Sequence, residues 1–109
     1  MNKYKHYKTG NLYNLIGEVV CLPELDCDHL YYNVVGEAKH SETLATYYVL
    51  KEQELGTLFV KTEIAQEPLI LYKALYGDFG FWLRPKTMFF DEVTKDGKFV
   101  KRFTYVPEL

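Results

Sequence analysis

The sequence lacks the charge excess and the long apolar run that mark several classes of protein. Its 109 residues carry 13 Lys and Arg against 15 Asp and Glu, a net charge of −2, so no global positive field favours binding to nucleic-acid phosphates. No apolar run approaches the roughly 18 residues of a membrane helix, and the first ten residues lack the apolar core of a signal peptide. These absences predict a cytoplasmic protein without a membrane partner, in which any contact with nucleic acid requires a local basic patch.

Cysteine is also scarce. Cys21 and Cys27 are too few for a disulfide scaffold and are expected to be reduced thiols. Together with Asp26, Asp28 and His29 they superficially resemble a metal site, but a structural zinc site needs four ligands at tighter spacings. The sequence also lacks a nucleophile elbow, a phosphate-binding P-loop and a dinucleotide fingerprint. We therefore expect no metal, no cofactor and no catalytic residues, and an enzyme is the less favoured class.

Aromatic residues, by contrast, are abundant. They make up 17% of the chain, with 10 Tyr and 7 Phe, a composition that favours half-buried β-strands over helices. At this length the chain has room for one core, and no linker or low-complexity segment interrupts it. The sequence predicts a single all-β domain over residues 1–109, mainly antiparallel.

Apolar runs bounded by turn signals place the strands. They predict strands at 12–20, 30–38, 46–52, 57–63, 69–76 and 81–84, with two short strands around Asp96-Gly97. Residues 21–29 form a predicted loop, and Pro85 starts a predicted helical turn over 85–90. A helix over 46–52, capped by Ser41, is the alternative there.

Two of these runs resemble each other. Residues 12–18, LYNLIGE, align with residues 31–37, YYNVVGE, at an offset of 19 residues. We interpret the pair as a short internal duplication, far too brief to indicate a solenoid.

The hairpin at 69–84 contains the candidate binding face. Symmetric closure of its loop would pair Tyr76 with Phe81, Leu75 with Trp82 and Lys73 with Arg84. One face would then be apolar, whereas Trp82 and Arg84 would share the other, with Leu71, Lys73 and Leu75. An indole and a guanidinium two positions apart can hold a planar anionic group by stacking and bidentate hydrogen bonds. The alternative is structural: the Arg84 stem packs on the indole and its head pairs with Asp78, Asp91 or Glu92.

Two further segments carry polar groups. His40-Ser41-Glu42-Thr43 places an imidazole, two hydroxyls and a carboxylate in one turn, which predicts either an acid–base cluster or a turn whose side chains bond the local backbone. Residues 2–8 alternate basic and aromatic side chains. This pattern suits single-stranded nucleic acid or a nucleotide phosphate, but an edge strand protected by lysines is the favoured interpretation.

Several motifs resemble a known family. They are His6-Tyr7-Lys8 with Gly10 and Tyr13, Ala38 to Thr43, Leu71 to Asp78, Trp82-Leu83-Arg84-Pro85, Met88-Phe89, Asp96-Gly97-Lys98 and Arg102-Phe103. In this order they resemble the bacterial domain-of-unknown-function family numbered 1653. The resemblance implies a small SH3-like β-barrel or roll and implies no activity. Relative to the family pattern, residues of about 19–37 and 45–66 are insertions, which we expect to lengthen the sheet or add hairpin strands.

The sequence thus predicts a non-catalytic recognition module for a small anionic, nucleotide-like ligand or a nucleic acid. The predicted ligand-binding residues are Trp82, Arg84, Tyr76, Asp78, His40 and Glu42. On this hypothesis Trp82→Ala and Arg84→Ala abolish binding and leave the melting temperature nearly unchanged. A protein- or peptide-interaction module is the alternative, a small hydrolase using His40 is a second one, and a homodimer formed through edge strands is compatible with either.

Overall fold

The computed structural model describes residues 2–64 and 66–107, which form ten strands and two short helices. The strands are β1 (Lys3–His6), β2 (Leu12–Leu22), β3 (Tyr32–His40), β4 (Thr46–Glu52), β5 (Leu58–Lys61), β6 (Leu69–Ala74), β7 (Phe81–Pro85), β8 (Glu92–Lys95), β9 (Lys98–Lys101) and β10 (Phe103–Val106). The helices are α1 (Glu24–Cys27) and α2 (Lys86–Phe89). Within the described ranges, no helix is long and apolar enough to cross a membrane.

Six strands close into a barrel in the order β2-β5-β4-β3-β7-β6, because β6 pairs back onto β2. Four of the six contacts are antiparallel, and the β2–β5 and β3–β7 contacts are parallel. The predicted small, mainly antiparallel β-barrel with additional strands is confirmed. The hairpin β4–β5, predicted from residues 46–63, contributes two strands to the ring, so the strand prediction at 46–52 holds against the helical alternative.

The barrel is built from two equivalent halves, one of β2, β6 and β7 and the other of β3, β4 and β5. In each half a long strand pairs antiparallel with a hairpin, whose second strand then pairs in parallel with the long strand of the other half. The registers match residue for residue: Val20 pairs with Phe59 in one parallel contact, and Lys39 pairs with Trp82 in the other. Equivalent residues are 19 positions apart in β2 and β3 and 23 positions apart in β5 and β7. The segments LFVK (58–61) and FWLR (81–84) have residues of similar type at each of their four positions.

A β-bulge occurs at the same place in both long strands. The register shifts between Leu15 and Gly17 in β2 and between Val34 and Gly36 in β3. Each bulge moves one set of side chains from the outer face of the barrel to its interior, because one unpaired residue inverts the alternation. A Cβ on Gly17 would lie 3.3 Å from Leu58, and a Cβ on Gly36 would lie 3.3 Å from Phe81. Both glycines therefore allow the equivalent strand to approach closely.

Three apolar clusters follow from this arrangement. The barrel interior is filled by small and branched side chains: Val19, Ala38, Val49, Val60, Leu69, Leu71 and Leu83. A second cluster, Ile70, Tyr72, Phe89 and Phe103, lies on the outer surface of β2, β6 and β7, which we call face A. A third, Cys27, Leu50 and Phe59, lies on the outer surface of β3, β4 and β5, which we call face B.

The remaining strands lie outside the ring. β1 pairs with β2 on one side and with β10 on the other, so the interpretation of residues 2–8 as an edge strand is wrong. The C-terminal strand β10 takes the place next to β1. β8 and β9 form a separate hairpin whose turn residues Asp96 and Gly97 have φ of 53° and 76°, as the Asp-Gly signal predicted.

One of the two short helices was predicted from the sequence and the other was not. α2 confirms the helical turn predicted after Pro85 and brings Phe89 onto face A. α1 was predicted as part of a loop, but Pro23, with φ of −66°, begins a single helical turn in which the backbone N–H of Asp26 donates to the Pro23 carbonyl. That turn buries Cys27 on face B.

Candidate functional site

The pairing predicted for the β6–β7 hairpin is wrong. Tyr72 pairs with Trp82 and Ile70 with Arg84, a register three positions from the predicted one. An odd shift exchanges the faces of one strand relative to the other. The reason is a longer loop: pairing ends near Ala74, whose N–H donates to the Gly80 carbonyl, and the N–H of Leu75 turns away to bond the Leu12 carbonyl.

Trp82 and Arg84 share a face with Ile70 and Tyr72, and this is face A. Trp82 is half-buried against the aromatic cluster, and the Lys39 ammonium lies 6.0 Å from the centre of its ring. Contrary to the prediction, Trp82 and Arg84 therefore do not share a face with Leu71, Lys73 and Leu75, but lie beside a second apolar core.

The Arg84 side chain is only 16% exposed. Its Nε donates to the Tyr72 hydroxyl at 3.3 Å, and its guanidinium carbon lies 5.4 Å from the centre of the Phe103 ring. Its Nη1 is 3.9 Å from a carboxylate oxygen of Glu42, which makes a weak ion pair. The predicted partners were Asp78, Asp91 or Glu92. Burial raises the pKa of Tyr72, and the nearby guanidinium partly opposes that shift. This geometry agrees better with a guanidinium that supports the core than with one open to a planar ligand.

His40 and Glu42 belong to one turn, but they point to different sides of the barrel. His40 is 3% exposed and follows Ala38 on the interior face of β3. Its Nδ1 accepts hydrogen bonds from the backbone N–H groups of Glu42, at 3.1 Å, and Thr43, at 3.3 Å. Through Nδ1 the imidazole therefore bonds its own turn, as the structural interpretation of this motif predicted, while its Nε2 is buried and has no hydrogen-bond partner among the described residues.

The two remaining predicted residues lie in the loop between β6 and β7. The Tyr76 hydroxyl is 2.8 Å from the Tyr13 hydroxyl, and burial, followed by this hydrogen bond, raises the pKa of Tyr13. Asp78 accepts a hydrogen bond from the backbone N–H of Gly80 and is exposed. Of the six predicted residues, then, Arg84 and Glu42 are brought near each other, whereas His40 and Asp78 satisfy local backbone groups.

A basic pocket of about 290 Å³ lies where β1 meets the β8–β9 hairpin and β10. Its lining is Lys5, His6, Tyr7, Lys95, Val100, Lys101 and Thr104. The Lys95 ammonium donates to the Tyr7 carbonyl at 3.3 Å, which ties the hairpin to the start of the chain. In the part of the chain that the structure describes, no carboxylate lines this pocket, so its three lysines have no acidic partner in the wall.

The imidazole of His6 lies among positively charged groups. Burial, and then the positive charges of Arg84, Arg102 and Lys8, lower the pKa of its imidazole. Arg102 is held by Asp91 through two hydrogen bonds, of 2.7 Å and 3.1 Å. The sequence had marked residues 2–8 as basic and aromatic but not Lys95 and Lys101. Lys95 directly precedes the Asp96-Gly97 turn, a signal that could have indicated it, but that turn does not indicate Lys101.

Motifs that are far apart in the sequence meet around Phe103. The rings of His6 and Tyr72 lie 5.1 Å and 5.6 Å from it, and Phe89 stacks on it at 4.3 Å with an interplanar angle of 5°. Arg84 completes the group. Several of the residues that carry the sequence resemblance therefore build one aromatic core between the barrel and the strands outside it.

Residues 58–105 match the model of a family described as "Protein of unknown function (DUF1653)". This part of the chain is similar to that family. The match runs from β5 to β10, so it includes the Trp82 to Pro85 motif and the Arg102-Phe103 pair, whereas the motifs between His6 and Thr43 precede it. The chain matches no curated protein and no solved structure.

The DUF1653-like region and the segment before it both contribute to the basic pocket. Lys95 and Lys101 lie inside the matched residues, and Lys5, His6 and Tyr7 lie outside them. The two predicted insertions stay predictions: the first lies before the match, and the second overlaps its start. Among residues 2–64 and 66–107, no three His, Cys, Asp or Glu side chains come together as metal ligands. Cys27 is buried, and burial raises the pKa values of both thiols.

Proposed function

We propose that this protein is a recognition module that binds the phosphate groups of a nucleotide-like ligand, in particular of a single-stranded nucleic acid, at the basic pocket between β1, β9 and β10. The observation that carries the proposal is the pocket wall itself: Lys5, Lys95 and Lys101 surround it beside the Tyr7 and His6 rings. Ammonium groups attract phosphates and aromatic rings stack on bases, the combination used by proteins that bind single strands.

The proposed binding site differs from the one predicted from the sequence, whereas the predicted class of ligand is the same. Trp82 and Arg84 lie behind the pocket: Arg84 packs on Phe103, and Phe103 contacts the His6 ring. In this proposal they support the wall and do not touch the ligand. The net charge of −2 does not oppose binding, because the field that a phosphate meets is set by charges within about 10 Å at moderate salt.

The binding test uses the whole chain and a fluorescently labelled, mixed-sequence single strand of twelve nucleotides, as RNA and as DNA. Anisotropy is measured between 50 and 200 mM salt. Three ammonium contacts predict a slope of log K against log salt of about −2, since each phosphate contact in a single strand contributes about −0.7. Adenosine monophosphate, followed by chemical shifts of the pocket residues, serves as the probe for a free nucleotide.

The variants are Lys5→Ala and Lys101→Ala, with Lys51→Ala as the matched control. Lys51 is exposed on β4, away from the pocket, and its loss changes the net charge by the same amount. Each pocket variant is expected to weaken binding and to reduce the salt slope by about 0.7, whereas the control is expected to bind like the parent. The proposal is overturned if the control weakens binding as much as the pocket variants do, or if neither probe binds at 50 mM salt.

A further inference from the structure

The two halves of the barrel present equivalent outer faces, but these faces are covered to different extents. On face A the outward positions are Tyr13, Leu15, Ile70, Tyr72, Trp82 and Arg84. The equivalent positions on face B are Tyr32, Val34, Tyr48, Leu50, Phe59 and Lys61. Five of these six face B residues, all except Phe59, line a groove of about 430 Å³, together with Thr46 and Tyr47.

Exposure measures the difference between the faces. Ile70 is 3% exposed, whereas its counterpart Tyr48 is 60% exposed. Val34 is also 60% exposed, while its counterpart Leu15 is half-buried. Within the groove, Val34 and Tyr48 are therefore the positions that the second half leaves in contact with solvent, whereas Leu50, at 5% exposed, is buried like its counterpart Tyr72.

Aromatic rings cover face A. Phe89, from α2, and Phe103, from β10, lie 5.2 Å and 5.6 Å from the Tyr72 ring, and the Arg84 guanidinium lies against Phe103. On face B, α1 covers the end near Phe59 through Cys27. The 23-residue offset that relates β5 to β7 places Gln66 at the position of Phe89, so the chain that follows β5 carries no aromatic side chain there.

The groove also has a defined charge. Over the described residues, Lys61 is the charged group in its lining. The Lys61 ammonium lies 4.7 Å from the centre of the Tyr32 ring and donates to the Tyr32 hydroxyl at 2.6 Å. That hydroxyl is the first cause of the raised pKa of Lys61. Its ion-pair partner Glu24, at 3.5 Å, has a side chain that is 64% exposed, so an incoming carboxylate can replace it without desolvating a buried acid.

We propose that face B binds a short segment of a partner protein in which an aromatic side chain stands beside a carboxylate. The aromatic ring would cover Val34 and Tyr48, as the aromatic cluster of face A covers their counterparts Leu15 and Ile70, and the carboxylate would pair with Lys61. This site is independent of the phosphate pocket, since the two share no residue.

A second copy of the chain is the less suitable occupant. Its exposed Asp78-Phe79 pair, at the tip of the β6–β7 loop, has the right chemistry. However, inserting this loop into the groove of the next copy is a head-to-tail contact, which leaves a free groove and a free loop at the ends and continues into a filament unless the rotation closes a ring. A segment from a different protein saturates the groove in one step.

The test uses the hexapeptide acetyl-Gly-Ser-Asp-Phe-Ser-Gly-amide at millimolar concentration and the amide chemical shifts of the full chain. Shifts are expected at Val34, Tyr48 and Lys61 and not at Ile70 and Arg84. The same peptide with Ala for Phe is expected to cause no shifts. The peptide with Asn for Asp is expected to bind about threefold more weakly, as for an ion pair at a partly exposed site.

Two protein variants complete the test. Val34→Glu places a carboxylate on the groove floor and is expected to abolish binding, whereas Tyr31→Ser, at an exposed position outside the groove lining, is expected to bind like the parent. Lys61→Met is expected to bind the Asp and Asn peptides equally. Absence of shifts, shifts on face A, or equal binding of the Phe and Ala peptides overturns the proposal. Self-association that Val34→Glu abolishes assigns the groove to a second copy and also overturns it.

Discussion

Lys61 and Arg84 occupy the same position in the two halves of the barrel, each near the end of the hairpin strand that pairs in parallel with the other half. Each cation bonds a tyrosine hydroxyl: Lys61 that of Tyr32 and Arg84 that of Tyr72. Their surroundings differ, because Arg84 lies beneath Phe103 whereas the Lys61 side chain is 29% exposed beside an open groove. The two halves thus hold two similar cationic sites, of which one is part of a core.

This difference predicts unequal effects on stability. Arg84→Ala should lower the free energy of unfolding by about 1–3 kcal/mol, because it removes the guanidinium hydrogen bond from the buried Tyr72 hydroxyl and the packing on Phe103. Lys61→Ala should cost less than about 1 kcal/mol, the range of an exposed ion pair. Urea denaturation followed by circular dichroism measures both. Equal losses in the two variants would contradict the assignment of Arg84 to the core, and the expectation that Arg84→Ala leaves the melting temperature unchanged is replaced by this one.

The aromatic core on face A can be tested with two phenylalanines. Phe89 is fully buried and stacks on Phe103, whereas Phe99 is 79% exposed at the β8–β9 hairpin. Phe89→Ala should lower the free energy of unfolding by about 3–5 kcal/mol, and Phe99→Ala should change it by less than about 0.5 kcal/mol. Thermal and urea unfolding of the two variants provide the comparison. A small effect of Phe89→Ala would mean that α2 does not pack on the barrel in solution.

The Arg102–Asp91 pair ties the end of β9 to the residue before β8. Its two hydrogen bonds need the planar fork of arginine, so Arg102→Lys should cost about 1 kcal/mol although the charge is kept. A double-mutant cycle with Asp91→Asn measures the coupling. If the two single effects simply add, the pair contributes nothing and this prediction is wrong.

His6 should make stability depend on pH. Burial, followed by Arg84, Arg102 and Lys8, lowers its pKa in the folded state, so the unfolded chain takes up the proton first as the pH falls below about 6.5. The stability associated with neutral His6 is therefore complete above that pH and is lost as the pH falls towards the folded-state pKa. His6→Gln should lose less stability than the parent between pH 7.5 and 5.5 in urea titrations. The other two histidines are present in both proteins, so an unchanged pH dependence would exclude this role for His6.

Much of the local structure could be predicted from the sequence. Alternating apolar residues and the Gly, Pro and Asp-Gly signals placed the barrel strands, the β8–β9 turn and the helical turn after Pro85, because these features depend on neighbouring residues. The repeat of LYNLIGE as YYNVVGE also had a structural counterpart, since each copy carries a bulge before its glycine. The second repeat, between the two hairpins, was missed because LFVK and FWLR share character but no identical residue.

The sequence by itself determined the β class, the strand order along the chain and the chemistry of each segment, because composition and spacing act within a few residues. Only the tertiary structure decided which side chains share a face. A loop longer than assumed moved the β6–β7 register by an odd number of residues, and β10 turned the predicted edge strand into an inner one. Register and strand neighbours both depend on contacts between distant segments. A register shift of one residue moves every side chain of a strand to the other face of the sheet. For this reason the basic pocket and the groove on face B could not be located before the fold was known.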